Sequence, residues 1–121
     1  MVRTEREGNT LIIEVDRQEK MNGFTPEMFE GISGAFEMLE QDNNLWVGVR
    51  CFAGKHSTAG LDLPRFFGAN SGSGEESSES SDNRPDAFAL RRRCTKPLVV
   101  AVQGITYTVG IEMLLAADIV V

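Results

Sequence analysis

Only one histidine, one tryptophan, one tyrosine and two cysteines occur among the 121 residues. Cys51 and Cys94 have no metal-type spacing and point to reduced thiols rather than a disulfide framework, read as fillers of small buried or half-buried spaces. No metal site is expected. No apolar run approaches the roughly 20 residues of a membrane span, which leaves no membrane partner to expect. The first residues, Met1 to Glu7, are too charged for a signal peptide, and a cytoplasmic protein is the expectation. Basic charge is also short. A net charge of −6 excludes a general nucleic-acid binder, which needs a dense positive surface.

What the chain does have is 41% apolar residues, enough for the core of one globular domain. Its charges are unevenly spread. Glu75, Glu76, Glu79 and Asp82 fall in a Ser/Gly-rich stretch, and Arg91, Arg92, Arg93 and Lys96 follow soon after. A phosphate-bearing ligand is therefore compatible with the acidic total. Residues 69–83 contain no aliphatic side chain larger than alanine and cannot offset their ordering entropy. They are expected to form a flexible acidic insert, either a tolerated loop or a lid over a site.

Val2 to Glu7 and Thr10 to Val15, joined by Gly8-Asn9, predict a β-hairpin. Asp16 to Gly23 has turn chemistry and reads as a surface loop. Thr25-Pro26 predicts a helix start, with the threonine hydroxyl as cap, and Met28, Ile32, Ala35, Phe36 and Leu39 form one apolar stripe behind it. Gly31 and Gly34 either weaken that helix or permit close packing. Leu45 to Phe52 is nearly continuously apolar, as for a strand covered on both faces, and Leu98 to Val102 and Ile119 to Val121 are further strand-like runs. Val109 to Ala117 reads as a buried helix. Helical patterns between strands with long connections predict an α/β architecture.

Two glycine-containing turns follow strand-like runs: Thr58-Ala59-Gly60-Leu61-Asp62 and Thr106-Tyr107-Thr108-Val109-Gly110. Each is able to open a helix, where the first N–H groups lack internal partners. If the two converge, they offer two donors to one oxygen, as needed for an enolate or oxyanion developing on a carbonyl.

Four segments in order resemble the crotonase superfamily, which includes enoyl-CoA hydratases and isomerases. Ser57-Thr58-Ala59-Gly60-Leu61-Asp62-Leu63 is similar to that family's S-x-A-G-x-D-L signature. Lys96 to Gly104 resembles K-P-V-I-A-A-V-N-G, and Gly110 to Ile119 resembles the element G-G-G-x-E-L-x-x-A-C-D-I. Arg17 to Gly23 is similar to the early loop R-P-E-K-x-N-A. The resemblance implies a crotonase-like α/β core of repeated β-β-α units, the core that caseinolytic-type serine peptidases share. It implies an acyl-CoA thioester substrate, with coenzyme A as part of the substrate and no separate cofactor.

Position by position, the family's two thioester-holding N–H groups map to Ala59 and Val109, and Glu112 maps to a glutamate that hydratases use as acid or base. On the inner face of a partly buried helix, that carboxyl would have a raised pKa; the plainer reading is a solvated helix-face glutamate. Met21, Gly23, Thr58, Gly60 and Leu61 would contact the ligand. Asp62 lies near the pocket by resemblance, but is read physically as a helix-start carboxylate. Lys20, Lys55 and Arg65 would meet phosphates or stay solvated. Thr108-Val109-Gly110 departs from the family's Gly-Gly-Gly, because valine tolerates neither φ > 0 nor close ligand approach as glycine does.

Two other readings stand beside the enzyme. One is a non-catalytic acyl-CoA-binding or assembly subunit of the same fold. The other is a serine peptidase built on His56 and Ser57, although adjacent residues point apart and a triad needs a base in reach plus an orienting carboxylate. By resemblance, the family's second catalytic glutamate falls beyond Val121, as does the region that builds its trimers and hexamers. The 121 residues are thus expected to be the N-terminal part of one domain, inactive alone and a homo-trimer or hexamer when complete.

Overall fold

The computed structural model describes residues 1–68 and 83–121. Apart from Asn83, the expected acidic insert lies outside the described residues. Five strands form one sheet in the order β1 (Val2–Glu7), β2 (Thr10–Val15), β3 (Val47–Phe52), β4 (Leu98–Val100) and β5 (Ile119–Val120). β1 and β2 are the expected antiparallel hairpin, with Glu7 opposite Thr10, and every later pairing is parallel. Parallel neighbours need crossovers, and helices supply them: α1 (Pro26–Gln41), α2 (Leu63–Phe67) and α3 (Val109–Leu115).

All five residues of the predicted stripe on α1 are buried. They cover Leu11, Ile13 and Val15, which alternate inward along β2, so helical period and strand period meet in one core. Pro26 takes the first helical position as expected. Thr25, however, makes no side-chain capping bond. The other end is closed by Lys96, whose Nζ donates to the carbonyls of Leu39 (2.5 Å), Asp42 (2.7 Å) and Leu45 (2.6 Å). A cation among the terminal carbonyls satisfies groups that a helix leaves orphaned. Gly31 does permit close packing, since a Cβ there would stand 2.9 Å from Val2 Cβ, whereas Gly34 faces open space.

β3 is not covered equally on its two faces. Gly48, Arg50 and Phe52 alternate inward, with Val47, Val49 and Cys51 only half-buried. The inward set therefore includes a fully buried arginine. Among the described residues β5 pairs with β4, and Ile119 and Val120 are exposed. The loop expected at Asp16 to Gly23 contains one turn of 3-10 helix, Gln18–Lys20.

Candidate functional site

The two glycine-containing turns converge. Thr58 and Thr106 form a parallel β-bridge, in which the Thr58 N–H donates to Ile105 O (3.1 Å) and the Tyr107 N–H to Thr58 O (3.0 Å). The seam is too tight for side chains at two points. Gly60 has φ 107°, and a Cβ on it would stand 2.5 Å from Thr108 Oγ1; a Cβ on Gly110 would stand 2.6 Å from Thr58 Cγ2. Glycine at both places is thus a condition of the approach.

The early loop buttresses this seam. Asn22 is fully buried: its Oδ1 accepts the Arg17 N–H (2.7 Å), and its Nδ2 donates to the carbonyls of Ala53 (2.9 Å) and His56 (3.1 Å). Thr58 Oγ1 donates to Asn22 O at 2.7 Å and accepts the Gly60 N–H at 3.1 Å. Met21 and Asn22 both have φ 49°, a conformation in which asparagine is far more common than methionine. Asn22 was missed as a site residue, although Asn22-Gly23 in the early-loop resemblance was its signal.

Ala59 is corrected as a ligand donor. Its N–H donates to Met21 O at 2.9 Å, so it is spent inside the fold. The next free donor belongs to Leu61. Leu61 forms a parallel bridge with Phe24 in which Gly60 O accepts the Phe24 N–H and the Asp62 N–H donates to Phe24 O, both at 2.8 Å. In such a bridge the central residue's own N–H points away from its partner strand. The N–H groups of Leu61 and Val109 make no hydrogen bond among the described residues.

The expected difficulty at Val109 falls on its neighbour. Val109 opens α3 and is not among the positive-φ residues; Thr108 is, at φ 44° and ψ −110°. The turn takes its left-handed step one residue earlier, and α3 then starts in an ordinary conformation.

Glu112 does not lie on an inner face. Val109, Gly110 and Met113 are the buried positions of α3, and Glu112 is exposed among the described residues. It lines a cleft of about 440 Å³ together with Phe88, Ala89, Leu90, Arg93, Leu115 and Ala116. A cleft of about 530 Å³ lined by Met1, Val2, Arg17, Thr25, Glu27, Met28, Gly31 and Arg65 contains none of the signature residues from Ser57 to Leu63 or from Gly110 to Ile119.

Asp62 has the structural role of a helix-start carboxylate. Its Oδ1 accepts the Arg65 N–H (3.4 Å) and its Oδ2 pairs with Arg17 Nη1 at 2.7 Å. Hydrogen bonding to Arg17 holds its carboxyl below the usual range, against a smaller desolvation effect. Gly23 is buried beside it, Met21 is partly exposed, and Lys20 and Lys55 are exposed. Arg65 is paired with Glu27 at 2.5 Å. The three consecutive arginines diverge, with Arg92 toward Glu40 and Arg93 toward Asp118.

Ser57 has no nucleophile geometry. It is fully buried; its Oγ donates to Gln103 O (2.9 Å) and accepts the Gln103 N–H (2.8 Å). His56 Nδ1 accepts the Ile105 N–H at 3.1 Å. These bonds tie the first turn to the end of β4 and leave no serine–base pair.

Residues 5–121 match the family model described as Enoyl-CoA hydratase/isomerase. An enoyl-CoA hydratase of Mycobacterium tuberculosis is 32% identical over 115 residues, covering 95% of this chain and 43% of that protein. A peroxisomal dienoyl-CoA isomerase of Arabidopsis thaliana is 23% identical, covering 98% of this chain and 46% of the relative. Among solved structures, a probable enoyl-CoA hydratase/isomerase from Mycobacterium abscessus superposes with a TM-score of 0.82 at 35% identity, covering 98% of this chain and 45% of its own. The chain thus spans less than half the length of these relatives, and its incomplete crotonase-type α/β core is the N-terminal part of theirs. With the signature turns, the order of the elements and the family match all in one register, the chain belongs to the enoyl-CoA hydratase/isomerase family.

Proposed function

We propose that the protein containing this chain binds an acyl-CoA thioester and hydrates or isomerises an enoyl group, with the N–H groups of Leu61 and Val109 on the thioester oxygen and Glu112 moving the proton. One observation carries the donor pair. Gly60 and Thr108 touch across the seam, and the residues that follow them bear the two N–H groups with no hydrogen bond among the described residues. Preformed donors aimed at developing charge stabilise an enolate without reorganisation, and losing one costs ~10²–10³ in rate. Ala59 then acts through Met21, holding the early loop against the turn.

The test supplies a 2-enoyl-CoA and a 3-enoyl-CoA to the full-length protein and follows each product. Double-bond isomerisation runs on one acid–base group and hydration takes two, so the preferred substrate separates them. Glu112→Gln should lower turnover by ~10²–10⁴. Absence of turnover with either substrate, alongside calorimetric binding of a CoA thioester, would select the non-catalytic acyl-CoA-binding subunit instead.

A further inference from the structure

Thr108 is a β-branched residue at φ 44°, a backbone region that such side chains adopt only at a cost. Its hydroxyl accounts for none of that cost within the fold. Thr108 Oγ1 makes no hydrogen bond among the described residues, Thr108 is exposed, and no side-chain capping bond to α3 is formed. A serine or threonine before a helix ordinarily turns its oxygen back onto the helix N–H groups. Here the oxygen lies across the seam, 2.5 Å from where a Cβ on Gly60 would be.

That position is specific. Gly60 precedes Leu61, and Thr108 precedes Val109, so the hydroxyl lies at the contact between the two turns that bear the free N–H groups. Thr58 Oγ1 is committed to Asn22 O and Ser57 Oγ to Gln103 O, whereas the Thr108 hydroxyl makes no hydrogen bond among the described residues. We infer that the Thr108 hydroxyl is a third donor to the thioester oxygen, adding a side-chain hydrogen bond to those from the Leu61 and Val109 N–H groups. The hydroxyl keeps its proton throughout; it stabilises charge on the oxygen and moves none. This role rests on the proposed thioester site.

The experiment uses the full-length protein and a cinnamoyl-CoA thioester, whose conjugated absorption band moves to longer wavelength when its carbonyl is polarised. Wild type and Thr108→Ser should both shift the band on binding. Thr108→Val, which keeps the shape and the branched Cβ but has no hydroxyl, should bind within a few-fold and shift the band less. With an enoyl-CoA substrate its kcat should fall roughly 10-fold at similar KM. Thr108→Gly, which relieves the backbone, should lose the same activity while melting at or above the wild-type temperature, separating the loss from misfolding. A Thr108→Val protein equal to wild type in band shift and kcat would overturn the role of Thr108 alone. A wild-type protein that binds the probe without any shift would overturn the thioester site as well.

Discussion

The backbone N–H of Ala59 donates to the carbonyl of Met21 at 2.9 Å. A donor that a motif assigns to the ligand is thereby used to fasten the early loop to the turn, and the free N–H lies two residues on, at Leu61. The bond also explains the buried Asn22. With Met21 O and Asn22 O both accepting from the signature turn, the loop has to present two successive carbonyls, and it does so through two left-handed residues.

Gly60→Ala should separate the two turns. The new Cβ would lie 2.5 Å from Thr108 Oγ1 at a φ of 107°, a conformation that L side chains rarely adopt. A loss of about 1–3 kcal/mol in urea unfolding is expected, with a larger proportional loss of CoA-thioester binding by calorimetry. Wild-type affinity in this variant would show that the seam does not set the site.

Arg50 is fully buried on β3 and donates from Nη2 to Met113 O at 3.1 Å, while its Nε and Nη1 have no partner among the described residues. Burial pushes its pKa down to about 10. For a cation with a depressed folded pKa, the cost is present at every pH below about 10 and is relieved only as pH rises toward the unfolded value. The shift corresponds to roughly 3 kcal/mol, against about 1.5–3 kcal/mol for a hydrogen bond from a charged group. Arg50→Met should therefore be as stable as wild type at pH 7, or more so, by thermal unfolding. Arg50→Ala should be less stable than Arg50→Met by about 2–5 kcal/mol, because it leaves a cavity.

Both thiols should be slow to alkylate in the folded protein. Burial, followed by the Cys94–Glu40 hydrogen bond at 3.0 Å, pushes Cys94 up to about 12, and burial with Glu14 nearby raises Cys51. The thiolate is the reactive form. Iodoacetamide at pH 8 should modify either residue far more slowly than in the urea-denatured chain, and equal rates would contradict the burial.

Asp118 links β4 to the basic segment: Oδ2 accepts the Leu98 N–H at 2.8 Å, and Oδ1 pairs with Arg93 at 2.9 Å. The Leu98 N–H and then Arg93 hold its carboxyl below the usual range. Its contribution is fully present above the unfolded pKa and disappears as pH falls through the lower folded value. Between pH 6 and pH 3, wild type should lose more stability than Asp118→Asn, as read from urea midpoints at each pH.

The short-range features of the fold were legible in the chain. The stripe from Met28 to Leu39, the hairpin around Gly8-Asn9 and the signature turns are all patterns within a few residues, and local periodicity reports which face meets a core. The family followed from four such segments in order. Residues whose role depends on distant partners were read less well. Lys96 looked like part of a basic cluster and closes α1; Arg50 lies in a run read as nearly continuously apolar and is among the most buried side chains.

By itself, then, the sequence determined the α/β architecture, the two turns and the family, because each is encoded in contiguous residues. Tertiary structure alone decided which N–H groups stay free among the described residues, that the left-handed step falls on Thr108 and not on Val109, and that Glu112 is exposed among those residues. A backbone donor is free or spent according to which carbonyl reaches it. For Ala59 that carbonyl belongs to Met21, brought there by a loop on the far side of α1 and β3 in the chain.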